Sequence, residues 1–156
     1  MSIDSIDRRI LDALQRSGRM SNADLSERVH LSPSACHRRV QRLEAEGYIA
    51  KYVALLDARK LGVPTTVFVE ITLQGQADDL LDAFEKAVAR IPDVLECHLM
   101  AGTADYLLKI VAEDTEDFAR IHRQHLSRLP GVAQMQSSFA LRTVLRTTAL
   151  PLQGGL

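Results

Sequence analysis

Ser32-Pro33-Ser34-Ala35-Cys36-His37-Arg38-Arg39-Val40-Gln41-Arg42-Leu43-Glu44-Ala45-Glu46-Gly47 is the stretch that decides how the first third of the chain folds. Ser32 is an N-cap residue, and Pro33 takes the first helical position, where a missing N–H costs nothing. Cys36, Val40 and Leu43 recur at helical spacing, and Gly47 stands where a left-handed stop is wanted. Set at 100° per residue with those three inward, the wheel turns Ser34, Arg38, Gln41 and Ala45 outward. His37 and Arg42 fall on the flanks, and Arg39 lies nearer the core side as a structural residue.

Two more helices are legible upstream. Asp4 caps the first, along which Ile6, Ile10 and Leu14 repeat before Gly18. Ser21 caps the second, with Asp24 three residues on and Leu25 and Val29 on its inner face. His30-Leu31 is then the whole connection to the third helix. Three short helices, the last two joined by a tight turn, spell a helix-turn-helix over residues 1–48. An apolar back and a front of short polar and guanidinium groups is what reading DNA in the major groove requires. Arginine takes guanine through two hydrogen bonds and glutamine takes adenine. The expected DNA-contacting residues are Ser34, His37, Arg38 and Gln41, with Arg42 set toward phosphate.

Charge agrees with that placement. The whole chain carries a net charge of -1, which excludes binding by bulk basicity. Residues 1–60 nevertheless hold 11 of the 19 Lys and Arg against 8 of the 20 Asp and Glu, so the basic excess lies where a local face needs it.

Beyond the helices, residues 48–57 are rich in β-branched and aliphatic side chains and read as part of a linker strand over 49–63. Lys60-Leu61-Gly62-Val63-Pro64 breaks the pattern. A second domain is expected over 64–142 and a C-terminal tail over 143–156. That domain contains a repeat: Arg90-Ile91-Pro92-Asp93-Val94 returns as Arg128-Leu129-Pro130-Gly131-Val132. Each copy follows a helical pattern, Leu80, Phe84, Val88 and Ile91 in the first and Phe118, His122, Leu126 and Leu129 in the second. Strands are expected before the helices, at 65–73 and 106–112, and after them, at 94–100 and 132–141. The order strand, helix, strand, strand, helix, strand is that of a ferredoxin-like βαββαβ domain, giving an α+β fold overall. Alternation puts Phe68, Glu96, His98 and Leu108 on a face that one copy cannot cover, so a symmetric dimer is expected.

The hairpin Ala101-Gly102-Thr103-Ala104-Asp105 is the second candidate site. Gly102 lets a ligand approach the backbone, turn amides suit a carboxylate, and Asp105 suits an ammonium group.

These motifs resemble the Lrp/AsnC family of transcription regulators. The resemblance rests on Ile6-Asp7-Arg8-Arg9-Ile10-Leu11, Leu31-Ser32-Pro33-Ser34, Arg39-Val40-Gln41-Arg42-Leu43-Glu44 and Gly47-Tyr48-Ile49. It continues through Glu96-Cys97-His98-Leu99, Gly102-Thr103-Ala104-Asp105-Tyr106-Leu107-Leu108-Lys109 and Leu129-Pro130-Gly131-Val132. It is strongest to the leucine-responsive branch around 96–109. It implies dimers made by the C-terminal domains, assembly to octamers, and a small amino acid, leucine first, held between dimers. The implied ligand residues are Gly102, Thr103, Ala104, Asp105 and Ser137, with further matching positions at Thr115, Phe139 and Ala140.

Two other readings are open. The same architecture resembles siroheme decarboxylase subunits, although no cluster of histidines and arginines marks a tetrapyrrole site here. A DNA-organising protein without amino-acid sensing is the other. No Ser/His/Asp elbow, phosphate-binding glycine loop or metal spacing points to an enzyme, and no cofactor beyond the amino-acid effector is expected. Cys36 and Cys97 read as small buried hydrophobes in a reducing compartment. No apolar run approaches the ~20 residues of a spanning helix. MSIDSIDRR lacks the apolar core of a signal peptide, so a cytoplasmic protein is expected.

Overall fold

The computed structural model describes residues 3–152. They form two compact units: the chain up to Leu55 together with the segment from Leu145 on, and Leu56–Val144.

The first unit holds α1 (Ser5–Arg16), α2 (Asn22–Val29) and α3 (Pro33–Ala45). Each starts on a side-chain cap that satisfies an orphan N–H of its first turn. Asp4 accepts from Asp7 N–H and Asp7 returns the bond to Asp4 N–H, a reciprocal box. Ser21 and Ser32 accept from Asp24 and Ala35 N–H. The turn between α2 and α3 is tight because His30 takes a left-handed conformation, φ 59°. Gly47, φ 79°, ends α3 in the same region, where glycine carries no steric cost. Ile10, Ala13, Leu14, Leu25, Val29, Cys36 and Leu43 close the core between the three helices. Full burial of one such aliphatic side chain contributes about 1.5–3 kcal/mol. The tail returns to this unit: Gln15 Nε2 donates to Leu150 O at 2.9 Å and Leu150 N–H donates to Gln15 Oε1 at 2.8 Å.

The second unit runs β1 (Thr65–Leu73), α4 (Asp78–Val88), β2 (Val94–Leu99), β3 (Tyr106–Ala112), α5 (Thr115–Gln124), a single 3-10 turn (Leu126–Arg128) and β4 (Val132–Phe139). The strands form one antiparallel sheet in the order β2-β3-β1-β4, the ferredoxin-like arrangement. One face packs on the helices through Val67, Val69, Ile71, Leu73, Tyr106, Leu108 and Ile110, against Phe84, Val88, Phe118 and Ile121. The repeat has a structural meaning, since Ile91 and Leu129, each just before a proline, both enter this core. The copies differ where Asp93 becomes Gly131. Gly131 has φ +71°, and a Cβ there would collide with Leu80.

Three expectations need correction. Leu108 does not belong to the open face: it pairs with Val69 and is fully buried under the helices. Directly opposed residues share a face, so the register puts Phe68, Leu107, Lys109, Glu96 and His98 on the open side. Cys97 is exposed rather than buried, because β2 is an edge strand. The linker expected as a strand takes no ladder: residues 50–57 pair with no strand among the described residues, and both edges of the sheet leave it out. Its Tyr52 instead turns back to α3, donating its hydroxyl to Glu44 Oε1 at 2.8 Å.

Candidate functional site

Local sequence fixes which side of α3 faces solvent. Cys36 and Leu43 are completely buried against α1 and α2, which leaves Ser34, His37, Arg38, Gln41 and Ala45 exposed on the opposite side. The structure therefore brings Ser34, His37, Arg38 and Gln41 together on one solvent face. None of the last three makes an ion pair or side-chain hydrogen bond among the described residues, and Ser34 meets only the Ser32 hydroxyl at 3.4 Å. Asn22, at the start of α2, donates to Pro33 O at 2.9 Å and so fixes the entry to α3.

The other two arginines of α3 are committed inward. Asp7, 1% exposed, lies beneath the helix. Arg39 Nη1 donates to Asp7 Oδ1 at 2.8 Å and to Asp4 Oδ2 at 2.7 Å. Arg42 Nη2 donates to Asp7 Oδ2. Arg42 thus differs from its expected place on the phosphate flank: its guanidinium is held on Asp7, and its Nε is buried without a partner among the described residues. Its flank position was ambiguous on the wheel, and a buried carboxylate decided the direction. That carboxylate had a signal, an acidic residue on the apolar stripe between Ile6 and Ile10. The Asp4 carboxyl is pulled from its ordinary 3.8 to about 2, first by the Asp7 N–H and then by Arg39. The effect of this network is to hold α3 at a fixed pitch on α1.

The hairpin differs in kind. Ala101, Gly102 and Thr103 are exposed, and a Cβ on Gly102 would meet nothing within 4 Å. The N–H groups of residues 101–104 have no partner among the described residues, so they are available to an anion. Asp105, however, already carries structure. The β1–β3 ladder ends at Ile71 and Tyr106, and β1 is irregular between Thr72 and Leu73. Asp105 Oδ2 accepts the Leu73 N–H at 2.7 Å, Oδ1 accepts from Gln76 Nε2 at 3.0 Å, and its own N–H donates to Ile71 O. Each carboxylate oxygen keeps a further lone pair, so an ammonium group still has an acceptor.

Ser137 is not brought to this turn. It sits on β4 opposite Val69, half-buried on the helix-covered face. Thr115, Phe139 and Ala140 lie at the other end of the sheet, level with the start of β1: Phe139 pairs with Val67 and stacks edge-on against Phe118, and Ala140 N–H donates to Thr66 O. At about 3.3 Å per residue, that end is roughly 20 Å from Asp105.

The open sheet face carries a small charged network. Lys109 Nζ reaches Glu96 Oε1 at 2.9 Å, and His98 Nε2 lies 3.1 Å from Glu96 Oε2. Lys109 first, and His98 second, hold the Glu96 carboxyl below its usual range. His122 is half-buried beside Phe118 as a packing residue. Among the described residues, no group of three or more His, Cys, Asp and Glu side chains is placed to hold a metal. No described helix is long and apolar enough to cross a membrane.

Comparison with known proteins gives two family matches. Residues 3–50 match a winged helix-turn-helix DNA-binding domain, and residues 66–150 match the Lrp/AsnC ligand binding domain. The leucine-responsive regulatory proteins of Escherichia coli K12 and Klebsiella pneumoniae are each 43% identical over 148 residues, 95% of this chain and 90% of theirs. Among solved structures, a transcriptional regulator of Neisseria meningitidis in complex with L-Met superposes with a TM-score of 0.93 at 38% identity, covering 97% of this chain and 98% of that one. An AsnC family transcriptional regulator of Agrobacterium tumefaciens gives 0.92 at 35%, covering 96% and 97%.

Proposed function

Since the chain belongs to the Lrp/AsnC family of DNA-binding transcription regulators, we propose that it reads DNA through Ser34, His37, Arg38 and Gln41 and that a small apolar amino acid, leucine first and methionine next, sets that activity. The observation that carries the DNA half is the sorting of arginines on α3: Arg39 and Arg42 are engaged by Asp7, while Arg38 and Gln41 project free. A base edge in the major groove is what such a rigidly backed pair fits. Arg42 serves this reading as a positioning residue.

For the effector, the turn at 102–105 supplies free amides for the α-carboxylate and Asp105 for the α-ammonium group. Ser137, Thr115, Phe139 and Ala140 stand away from it in one chain, so a complete pocket joins the turn of one copy to the far sheet end of another. This supports a site between dimers. The open sheet face around Phe68 and Leu107 is the surface for two-fold pairing, and the unpaired linker 50–57 is free to find its strand partner across that axis. Octamers follow if dimers then close into a ring. The place of work is the cytoplasm, where the DNA is.

The test is DNA binding with amino acids titrated in. A midpoint that moves with leucine or methionine, and not with aspartate or lysine, supports the reading. A DNA complex indifferent to all of them would leave a DNA-organising protein instead.

A further inference from the structure

The N-terminal unit holds a cleft of about 300 Å³ that contains no residue of α3. Its walls are Arg8, Arg9 and Arg16 from α1, Arg28 from the last turn of α2, and Leu150 and Leu152 from the returning tail. Asp12 is occupied by Arg16, an i,i+4 pair at 3.1 Å. Arg8 and Arg9 make no ion pair among the described residues, and Arg28, outside ion-pair distance, adds only a weak pull on the Asp12 carboxyl after Arg16 and Gln15. Unpaired surface arginines are ordinary. Here they converge on one concavity, in a chain whose net charge is negative, while Arg39, Arg42 and Arg120 are all matched to carboxylates. The wall opposite them is also fixed, because the Gln15 side chain grips both backbone groups of Leu150 like a strand partner.

We propose that this cleft binds a phosphate ester, as a small phosphorylated molecule of nucleotide size. A monocarboxylate such as an amino acid would leave most of the positive charge unmatched. A di- or triphosphate carries enough negative charge, and guanidinium groups take phosphate oxygens in pairs. The apolar side chains of Leu150, Pro151 and Leu152 give the uncharged part of such a molecule a surface to lie on. Since the tail closes the cleft, occupancy also fastens the tail to α1. The backbone of DNA offers the same phosphate chemistry, and the test separates the two sources.

Full-length protein is titrated calorimetrically with pyrophosphate, ATP and adenosine at low salt, then again as the Arg8→Gln/Arg28→Gln double variant and as Gln15→Ala. The same three proteins are titrated with a random-sequence duplex over a range of salt. Thermal melts verify that the variants stay folded. Heat with pyrophosphate and ATP but not adenosine, weakened at least tenfold in the double variant and several-fold in Gln15→Ala, with the DNA salt slope unchanged, establishes a free phosphate ester as the ligand. No heat from either phosphate, with a salt slope lower by about one per lost phosphate contact in the double variant, assigns the cleft to a DNA phosphate. No heat and an unchanged slope, or heat that survives the double variant, overturns the site.

Discussion

The recognition helix and the 102–105 hairpin both announce themselves in sequence, yet they divide structural and functional work in opposite ways. On α3 the two kinds of work fall on different residues: Arg39 and Arg42 hold Asp7, and Ser34, His37, Arg38 and Gln41 are left free. In the hairpin one residue would do both, because Asp105 closes the end of β1 through Leu73 N–H and is also the group proposed to receive a ligand's ammonium. The proposed DNA-reading face lies within a single chain. The second site, on the reading proposed above, draws on positions elsewhere on the sheet, Ser137 at mid-strand and Phe139 at the far end, and so calls for another copy.

Removing Asp7 should have the largest effect. Asp7→Ala strips Arg42 of its carboxylate, leaves Arg39 with Asp4 alone and removes half of the capping box, and should cost about 2–4 kcal/mol of stability in the N-terminal unit, read from a denaturant melt. DNA binding should fall with it, because α3 loses its seat. If the variant melts like wild type, the network does not hold the helix.

Asp105→Ala probes the shared residue and should give a mixed phenotype. We expect loss of the amino-acid response together with about 1–3 kcal/mol of destabilisation from the orphaned Leu73 N–H. Calorimetry and melting on the same sample check both. Loss of response without any change in melting would mean that Asp105 is not a structural bond worth counting.

Arg38→Ala should give a clean phenotype, about 1–3 kcal/mol weaker DNA binding with relaxed base preference and an unchanged melt. Arg42→Ala is its mirror. It should lower the melting temperature and leave the salt slope alone, whereas a lower slope would return Arg42 to the phosphate role.

The smallest effect is on pH. The carboxyl of Asp4 is depressed to about 2 in the folded state, so its contribution is present above the ordinary carboxylate range and fades as pH falls from about 4 towards 2. Asp4 is half exposed, so the effect is modest and screened by salt. A shallower acid limb in Asp4→Asn is the expected result.

What was legible in the sequence was local. The caps Asp4, Ser21 and Ser32, the stop at Gly47 and the two Pro-bearing repeats each act within a few residues, and they gave element order and fold class. What was not legible depends on distant partners. Arg42 turns inward because of a carboxylate on α1. Leu108 lies under the helices because the register with β1 sets its face. Cys97 is exposed because of where β2 falls in the sheet. The tail carries no periodicity at all, and only Gln15 reveals where it goes. The hairpin sequence likewise pointed to Asp105 without showing that Leu73 already claims it.

If an apolar amino acid acts through a site separate from the DNA-reading face, substitutions at the two sites should have separable effects. Fluorescence anisotropy on one operator-bearing fragment, with leucine and methionine titrated against wild type, Arg38→Ala and Asp105→Ala, separates them. The expected result is a ligand-dependent midpoint in wild type, a weaker but still ligand-dependent one in Arg38→Ala, and a ligand-blind one in Asp105→Ala. An effector shift that disappears with Arg38 and survives in Asp105→Ala would place the effector on the DNA-reading face instead.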